Sequence, residues 1–315
     1  MTDAAPPMAP RPLLVLTGPT ACGKSGRAVE LAESADLEIL SMDSMAIYRG
    51  MDVGTAKPDA DARARVRHHL IDLVEPHETF DVHRWCEAAD AAVADVRARG
   101  REPLFVGGTP LYLMAYWKGM LPGAPADPAL RAALEAREDA SPGALHAELA
   151  AVDPAAAARL HRNDRKRLVR ALEVFATTGK PISEQQHHFD AQQVQRPCRI
   201  VALSRPREEL HARVKARTVE MLRNGLVEET RAIREGRGFA TAAAAAIGYA
   251  EAIAFLDRRL KDVEELRNRI RRSTHRLIRR QTTWLRSIPG IRFVPADAPL
   301  EDLRAAFGLD ATPSC

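Results

Sequence analysis

The residues with the strongest chemical pattern are Gly18-Pro19-Thr20-Ala21-Cys22-Gly23-Lys24-Ser25, which follow the apolar run Leu13-Leu14-Val15-Leu16 and open a helix-patterned stretch. The glycines let successive backbone N–H groups turn toward one anion, the lysine adds a point charge, and the serine hydroxyl can ligate magnesium. Strand, loop and helix in this order predict a phosphate-binding loop. They leave open which phosphates it holds.

Asp43 directly follows a second apolar run, Leu37–Met42, at the carboxyl edge where doubly wound sheets bind ligands. There it can act as a general base or a magnesium-shell carboxylate, or it can cap the following segment. A third run, Leu104-Phe105-Val106, ends in Gly107-Gly108-Thr109 and not in the aspartate of a motor-type or switch-type NTPase, which weighs against an ATPase. Thr109 can bring a hydroxyl to phosphate or metal, or can simply turn the chain. Arg213 and Arg217, one helical turn apart, can close over an anion or can be ordinary surface groups. His68 and His69 would point to opposite faces of a strand, so they carry no assigned chemistry.

These groups need a scaffold, and 315 residues with 46% apolar content suffice for a packed interior. Apolar runs alternate with helical patterns, which indicates a parallel sheet covered on both faces. Candidate strands are Leu13–Thr17, Leu37–Met42, Pro103–Val106, Arg199–Leu203 and Ile291–Val294, with amphipathic stretches at Arg27–Ala35, Val82–Arg99 and Glu208–Glu235. Between Leu121 and Gln195 the rhythm becomes Ala-rich and helical, introduced by Leu121-Pro122-Gly123-Ala124-Pro125 and followed by His187-His188-Phe189-Asp190. The expected fold is therefore α/β, a P-loop NTPase-like parallel sheet flanked by helices. Residues 11–120 and 196–300 would form a discontinuous core, 121–195 a smaller all-helical insertion, and 1–10 and 301–315 flexible or peripheral termini.

The net charge is only +4, but the basic residues are unevenly placed. Arg267 to Arg286 contains eight arginines and no acid, and Arg269, Arg272, Arg276, Arg279 and Arg280 recur at helical steps. Ile270, Leu277, Ile278 and Trp284 can face the core from the same helix. A second cluster, Arg162, Arg165, Lys166, Arg167 and Arg170, lies in mid-chain. A solvated face usually mixes both signs, so the pattern favours an anionic polymer partner. The four cysteines are dispersed, with no zinc-ligand spacing, as expected of reduced thiols in a cytoplasmic protein. Met1–Pro12 has no signal-peptide pattern and no stretch approaches a bilayer span, so neither secretion nor membrane insertion is expected.

The stretch Asp43-Ser44-Met45-Ala46-Ile47-Tyr48-Arg49-Gly50-Met51-Asp52-Val53-Gly54-Thr55-Ala56-Lys57-Pro58 resembles the signature of the tRNA dimethylallyltransferases, also called isopentenyl-tRNA transferases. Further segments resemble that family in order: His68–Asp72, Gly107–Tyr112, Asn163–Val174, Ile247-Gly248-Tyr249 and Arg280–Arg286. The resemblance covers roughly residues 12 to 290 and implies transfer of a dimethylallyl group from dimethylallyl diphosphate to N6 of the adenosine at tRNA position 37. It implies that Gly18 to Ser25 hold the diphosphate, that Ser25 and Thr109 lie by Mg2+, that Arg217 contacts the leaving group and that Asp43 takes the N6 proton. It also implies tRNA contacts at Asp43, Ser44, Met45, Ala46, Thr109, Arg131, Lys166, Arg167, Leu168, Val169, Arg170, Gly248, Tyr249, Arg279, Arg280, Gln281, Trp284 and Arg286. The partners implied are the tRNA anticodon stem-loop and the prenyl donor, with no membrane and no obligatory protein partner; a monomer is expected, and the sequence leaves the oligomeric state open.

The family often has Gln at Ala46 and basic or polar residues near Ala245, Ala246 and Ala250, so the chemistry matches more closely than the grip on RNA. Two alternatives share parts of the pattern. Prenylation of free adenine nucleotides would need neither the basic helix nor the insertion. A nucleotide kinase would share the loop and bind a nucleoside triphosphate.

Overall fold

The computed structural model describes residues 11–119, 127–184 and 194–309. The expected punctuation at Leu121–Pro125 and His187–Asp190, and residues 1–10 and 310–315 of the expected termini, lie outside the described residues.

Six strands form one sheet in the order β3-β2-β4-β1-β5-β6. They are β1 (Leu13–Thr17), β2 (Leu37–Ser41), β3 (His68–His69), β4 (Glu102–Val106), β5 (Cys198–Ser204) and β6 (Arg292–Pro295). Every pairing is parallel. β1 and β2 are buried along their whole length because helices cover both faces; β1 therefore reads as an almost unbroken apolar run, while β2 carries the buried Glu38 and Ser41 within its apolar residues. Leu16 of β1 sits opposite Val106 of β4 and Val201 of β5. The chain leaving β1, β2 and β4 therefore emerges at one edge, and the Gly-rich loop, Asp43 and Gly107–Thr109 gather there.

Two glycines let that edge close. A Cβ on Gly107 would fall 2.1 Å from the Met42 carbonyl oxygen, and one on Gly18 would fall 2.8 Å from Leu203 O. Trp85, on the Val82–Ala98 helix, is fully buried, stacks on Tyr112 at 4.4 Å and donates Nε1 to Ser41 O at 3.4 Å. This packing anchors the β4 exit against the end of β2.

Contacts divide the protein into two compact units, one built from the residues up to Ala115 and from Arg196 onward, the other spanning Tyr116–Gln195. In the second unit the helices Pro128–Ala140, Ala144–Val152, Pro154–Arg159 and Arg165–Thr178 close on Leu134, Leu145, Leu149, Leu168 and Leu172. Asp127, Asp153 and Asp164 cap three of these helices through side-chain acceptors to backbone N–H groups.

Two expectations need correction. The Glu208–Glu235 stretch is two helices, Arg207–Arg223 and Leu226–Glu235, broken where Gly225 adopts φ +89°. Residues beyond 300 are not a peripheral tail, since Leu300–Phe307 is a helix whose Leu303 and Phe307 are buried in the main core beside Leu31 and Val294. Its alternation of charged and apolar residues was too short to read as an element.

Candidate active site

The Gly-rich loop leaves β1 and enters the Lys24–Ser34 helix. Gly23 caps that helix at φ +103° with no side-chain cap, and no acid occupies its first turn, so the helix's N-terminal amides remain available to an anion. Gly18 and Ala21 also take positive φ, bending the loop around its own amides. Lys24 Nζ donates to Pro19 O at 3.1 Å, inside the loop. Cys22 is fully buried in the core and can offer a ligand only its backbone.

A cavity of about 320 Å³ opens beside this loop, lined on its polar side by Thr20, Ala21, Asp43, Ser44, Thr109, Arg217 and Gln281. Its other wall is apolar, with Val214 and Met221 on the Arg207–Arg223 helix and Ile270 and Leu277 on the Val263–Arg286 helix. Asp43 Oδ1 accepts the Met45 N–H at 2.8 Å, which fixes the carboxylate at the cavity rim. Thr109 Oγ1 accepts the Ser44 N–H at 3.1 Å, tying the ends of β2 and β4 together.

Arg217 is the cation of the cavity. Its guanidinium meets only neutral oxygens in the hydrogen bonds formed among the described residues, Thr20 Oγ1 at 3.5 Å and Thr55 O at 3.3 Å. Burial pushes its pKa below the usual arginine value, while the charge on Asp43 opposes that shift. A desolvated cation with no bonded carboxylate is a receptor for an anionic group. Arg213 instead donates Nε to Ala21 O at 2.8 Å from the exposed side, bracing the loop.

Among the described residues no three His, Cys, Asp or Glu side chains converge as metal ligands. Besides the Asp43 carboxylate and the Gln281 amide, the side-chain oxygen donors at this edge are hydroxyls, which suit an ion that arrives with phosphate oxygens and keeps its waters. Ser25 is exposed at the first turn of its helix and Thr109 lines the cavity.

The model of the family described as IPP transferase matches residues 46–288. The chain belongs to the IPP transferase family. A tRNA dimethylallyltransferase of Anaeromyxobacter dehalogenans is 49% identical over 286 residues, covering 90% of this chain and 94% of that protein. One from Methylibium petroleiphilum is 46% identical over 308 residues, covering 95% and 94%. The crystal structure of a tRNA isopentenylpyrophosphate transferase from Bacillus halodurans superposes with TM-score 0.69 at 33% identity, covering 95% of this chain and 96% of that one. A eukaryotic dimethylallyltransferase captured acting on tRNA gives TM-score 0.76 at 25% identity, covering 95% and 77%.

In this IPP transferase family member the residues expected at RNA separate into two groups. Lys166, Arg167, Arg279, Arg280 and Arg286 are exposed, and Arg131, Arg170 and Trp284 are partly exposed. Leu168 and Val169 are buried in the insertion's core, so their side chains cannot reach RNA. Ala46 is buried, and its carbonyl accepts the Asp72 N–H at 3.1 Å. Tyr249 is fully buried with its hydroxyl engaged, and Gly248, at φ +99°, is the buried cap of the Tyr249–Leu256 helix. Trp284 does not enter the core as the helical phase suggested; Leu285 does.

Gln281 is the largest difference. It is only 6% exposed, accepts the Thr20 N–H at 2.8 Å and donates to Gly108 O at 2.7 Å. It is an internal strap from the arginine-rich helix to the phosphate loop. Glu229, Gly54 and Thr55 also shape the site, and no periodicity or spacing singled them out.

Proposed function

We propose that this chain transfers a dimethylallyl group from dimethylallyl diphosphate to N6 of the adenosine at position 37 of tRNAs that read codons beginning with U, releasing diphosphate. The observation that carries this reading is the single cavity in which the loop, the buried Arg217, the Asp43 carboxylate and an apolar wall meet. Kinase chemistry would use the anion site but does not require this apolar wall beside the phosphates. Prenyl transfer uses both, and needs no positioned hydrolytic water.

The exocyclic N6 attacks C1 of the dimethylallyl group, the C1–O bond breaks, and its electron pair leaves on the diphosphate. An amine conjugated to a purine is a poor nucleophile until its proton has somewhere to go, and Asp43 is the base at the cavity rim that takes it. The Thr20 hydroxyl and the loop amides that follow it, with Lys24 and Arg217, stabilise the charge that builds on the leaving group. Magnesium fits the hydroxyl donor set, with Ser25 and Thr109 the residues that would hold it, and when bound it neutralises diphosphate charge. Val214, Met221, Ile270 and Leu277 suit the prenyl chain and keep water from it.

The target base is stacked in the anticodon loop, so it must be extruded to reach Asp43. Phosphate contacts from Lys166, Arg167, Arg279, Arg280 and Arg286 supply affinity. Such an enzyme works beside tRNA in the cytoplasm, as a monomer with no obligatory protein partner, and no described helix is long and apolar enough to cross a membrane.

The test is incorporation of labelled dimethylallyl diphosphate, with magnesium, into unmodified tRNA in one reaction and AMP in another. Label on tRNA alone is expected, with turnover in Asp43→Ala lower by about 10²- to 10⁴-fold and tRNA affinity unchanged. Label on AMP would move the activity to free nucleotides. Label on neither, with a nucleoside triphosphate bound, would overturn the reading.

A further inference from the structure

Arg217 is aimed by a turn outside the anion site. Its Nη2 donates to Thr55 O at 3.3 Å, so the direction of the guanidinium depends on where the Asp52–Thr55 turn sits. That turn is fixed from the Leu226–Glu235 helix. The Glu229 carboxylate accepts the backbone N–H of Asp52 at 3.0 Å, of Val53 at 3.0 and 3.2 Å and of Gly54 at 3.5 Å. Three successive amides converging on one anion form a nest, and here the anion is supplied by the protein.

Tyr249 closes the arrangement. Its hydroxyl donates to Glu229 Oε1 at 2.5 Å and accepts the Gly54 N–H at 3.2 Å. The ring lies so close to the turn that a Cβ on Gly54 would fall 2.3 Å from ring carbon Cε2. Only glycine lets the turn and the ring approach this far. Gly54 and Thr55 line the cavity and Tyr249 does not, so anything Tyr249 does to a ligand passes through them.

We infer that Glu229 and Tyr249 are positioning residues for the diphosphate site, holding the Asp52–Thr55 turn so that the Thr55 carbonyl orients Arg217. The inference rests on the proposed reading of Arg217 as a diphosphate contact. It differs from the RNA-contact role that the resemblance implies for Gly248 and Tyr249, because both functional atoms of the pair are spent inside the fold.

The experiment measures two affinities of the full chain, for magnesium pyrophosphate by calorimetry and for unmodified tRNA by filter binding. In Tyr249→Phe the pyrophosphate affinity is expected to fall about tenfold, the effect of losing a hydrogen bond to a charged group, while tRNA affinity stays the same. In Arg217→Lys/Tyr249→Phe the pyrophosphate affinity is expected to match that of Arg217→Lys alone, because the turn has lost the group it orients. Additive losses in the double variant would overturn the inference, and so would a loss confined to tRNA binding. If Tyr249→Phe does not fold, Gly54→Ala and Glu229→Gln carry the same cycle. A wild-type chain that does not bind pyrophosphate overturns the diphosphate reading itself and the inference with it.

Discussion

At the scale of single residues, Gln281 both lines the cavity and holds the loop that shapes it. Its amide joins Thr20 N of the phosphate loop to Gly108 O of the β4 exit, and a Cβ on Gly108 would fall 2.5 Å from Gln281 Nε2. Gln281→Leu keeps the volume but strands a donor and an acceptor, so the loop should lose its support beside Thr109. We expect magnesium pyrophosphate to bind about tenfold more weakly, with the salt dependence of tRNA binding unchanged. Weakened tRNA binding with intact pyrophosphate affinity would return Gln281 to the RNA contacts. The loop Gly18–Ser25 was legible because its spacing is itself the chemistry. Gln281 was not, because a glutamine directly after Arg279-Arg280 reads as solvent-facing until the phase of the helix against the sheet is known. Tyr249 was opaque for the same reason, and Ala46, buried in a turn, had no periodicity to read.

At the scale of elements, the central strands β1 and β4 could be read from their apolar runs because burial on both faces leaves little room for other residues, whereas the two-residue edge strand β3, His68–His69, offers no such run. The insertion was legible as helical, but which of its basic residues build it was not. Glu173 has no exposed surface and accepts two bonds from Arg131, at 2.7 and 2.9 Å, one from Arg170 at 2.6 Å and one from Asp127 N at 2.8 Å. Arg131, expected at RNA, thus fastens the Pro128–Ala140 helix to the Arg165–Thr178 helix. Burial alone would raise the Glu173 carboxyl, but Arg131, Arg170 and the Asp127 N–H hold it below its ordinary value of 4.5. A carboxyl with a depressed native pKa contributes stability that is full above its unfolded value and is lost as pH falls through the native one. Glu173→Gln should therefore lower hydrogen-exchange protection of the Arg165–Thr178 helix at neutral pH, and its difference from the wild type should shrink below pH 4.5. Arg131→Ala should cost that unit about 2 kcal/mol. Unchanged protection in both variants would leave Arg131 free for RNA.

At the scale of the whole molecule, 46 basic and 42 acidic residues nearly cancel, so RNA affinity has to come from where charge is left unbalanced. Along the Val263–Arg286 helix, Arg267 pairs with Glu264, and Arg269 pairs with Glu265 at 2.8 Å. Further along, Arg272, Arg276, Arg279, Arg280 and Arg286 are exposed and have no carboxylate partner among the described residues. The opposite side of the same helix buries Leu266, Ile270, Ile278, Gln281 and Leu285. One rigid element thus presents cations to solvent and a strap to the phosphate loop. Each phosphate neutralised releases condensed counterion, so the logarithm of affinity falls with the logarithm of salt roughly in proportion to the number of contacts. Replacing Arg276 and Arg280 together with glutamine should lower tRNA affinity and reduce that slope by up to about two, while pyrophosphate affinity stays the same because neither residue lines the cavity. An unchanged slope would make the stripe a solvated face and shift the grip on RNA to Lys166 and Arg167. A loss of pyrophosphate affinity would instead mean that the helix, through Gln281, had moved the loop.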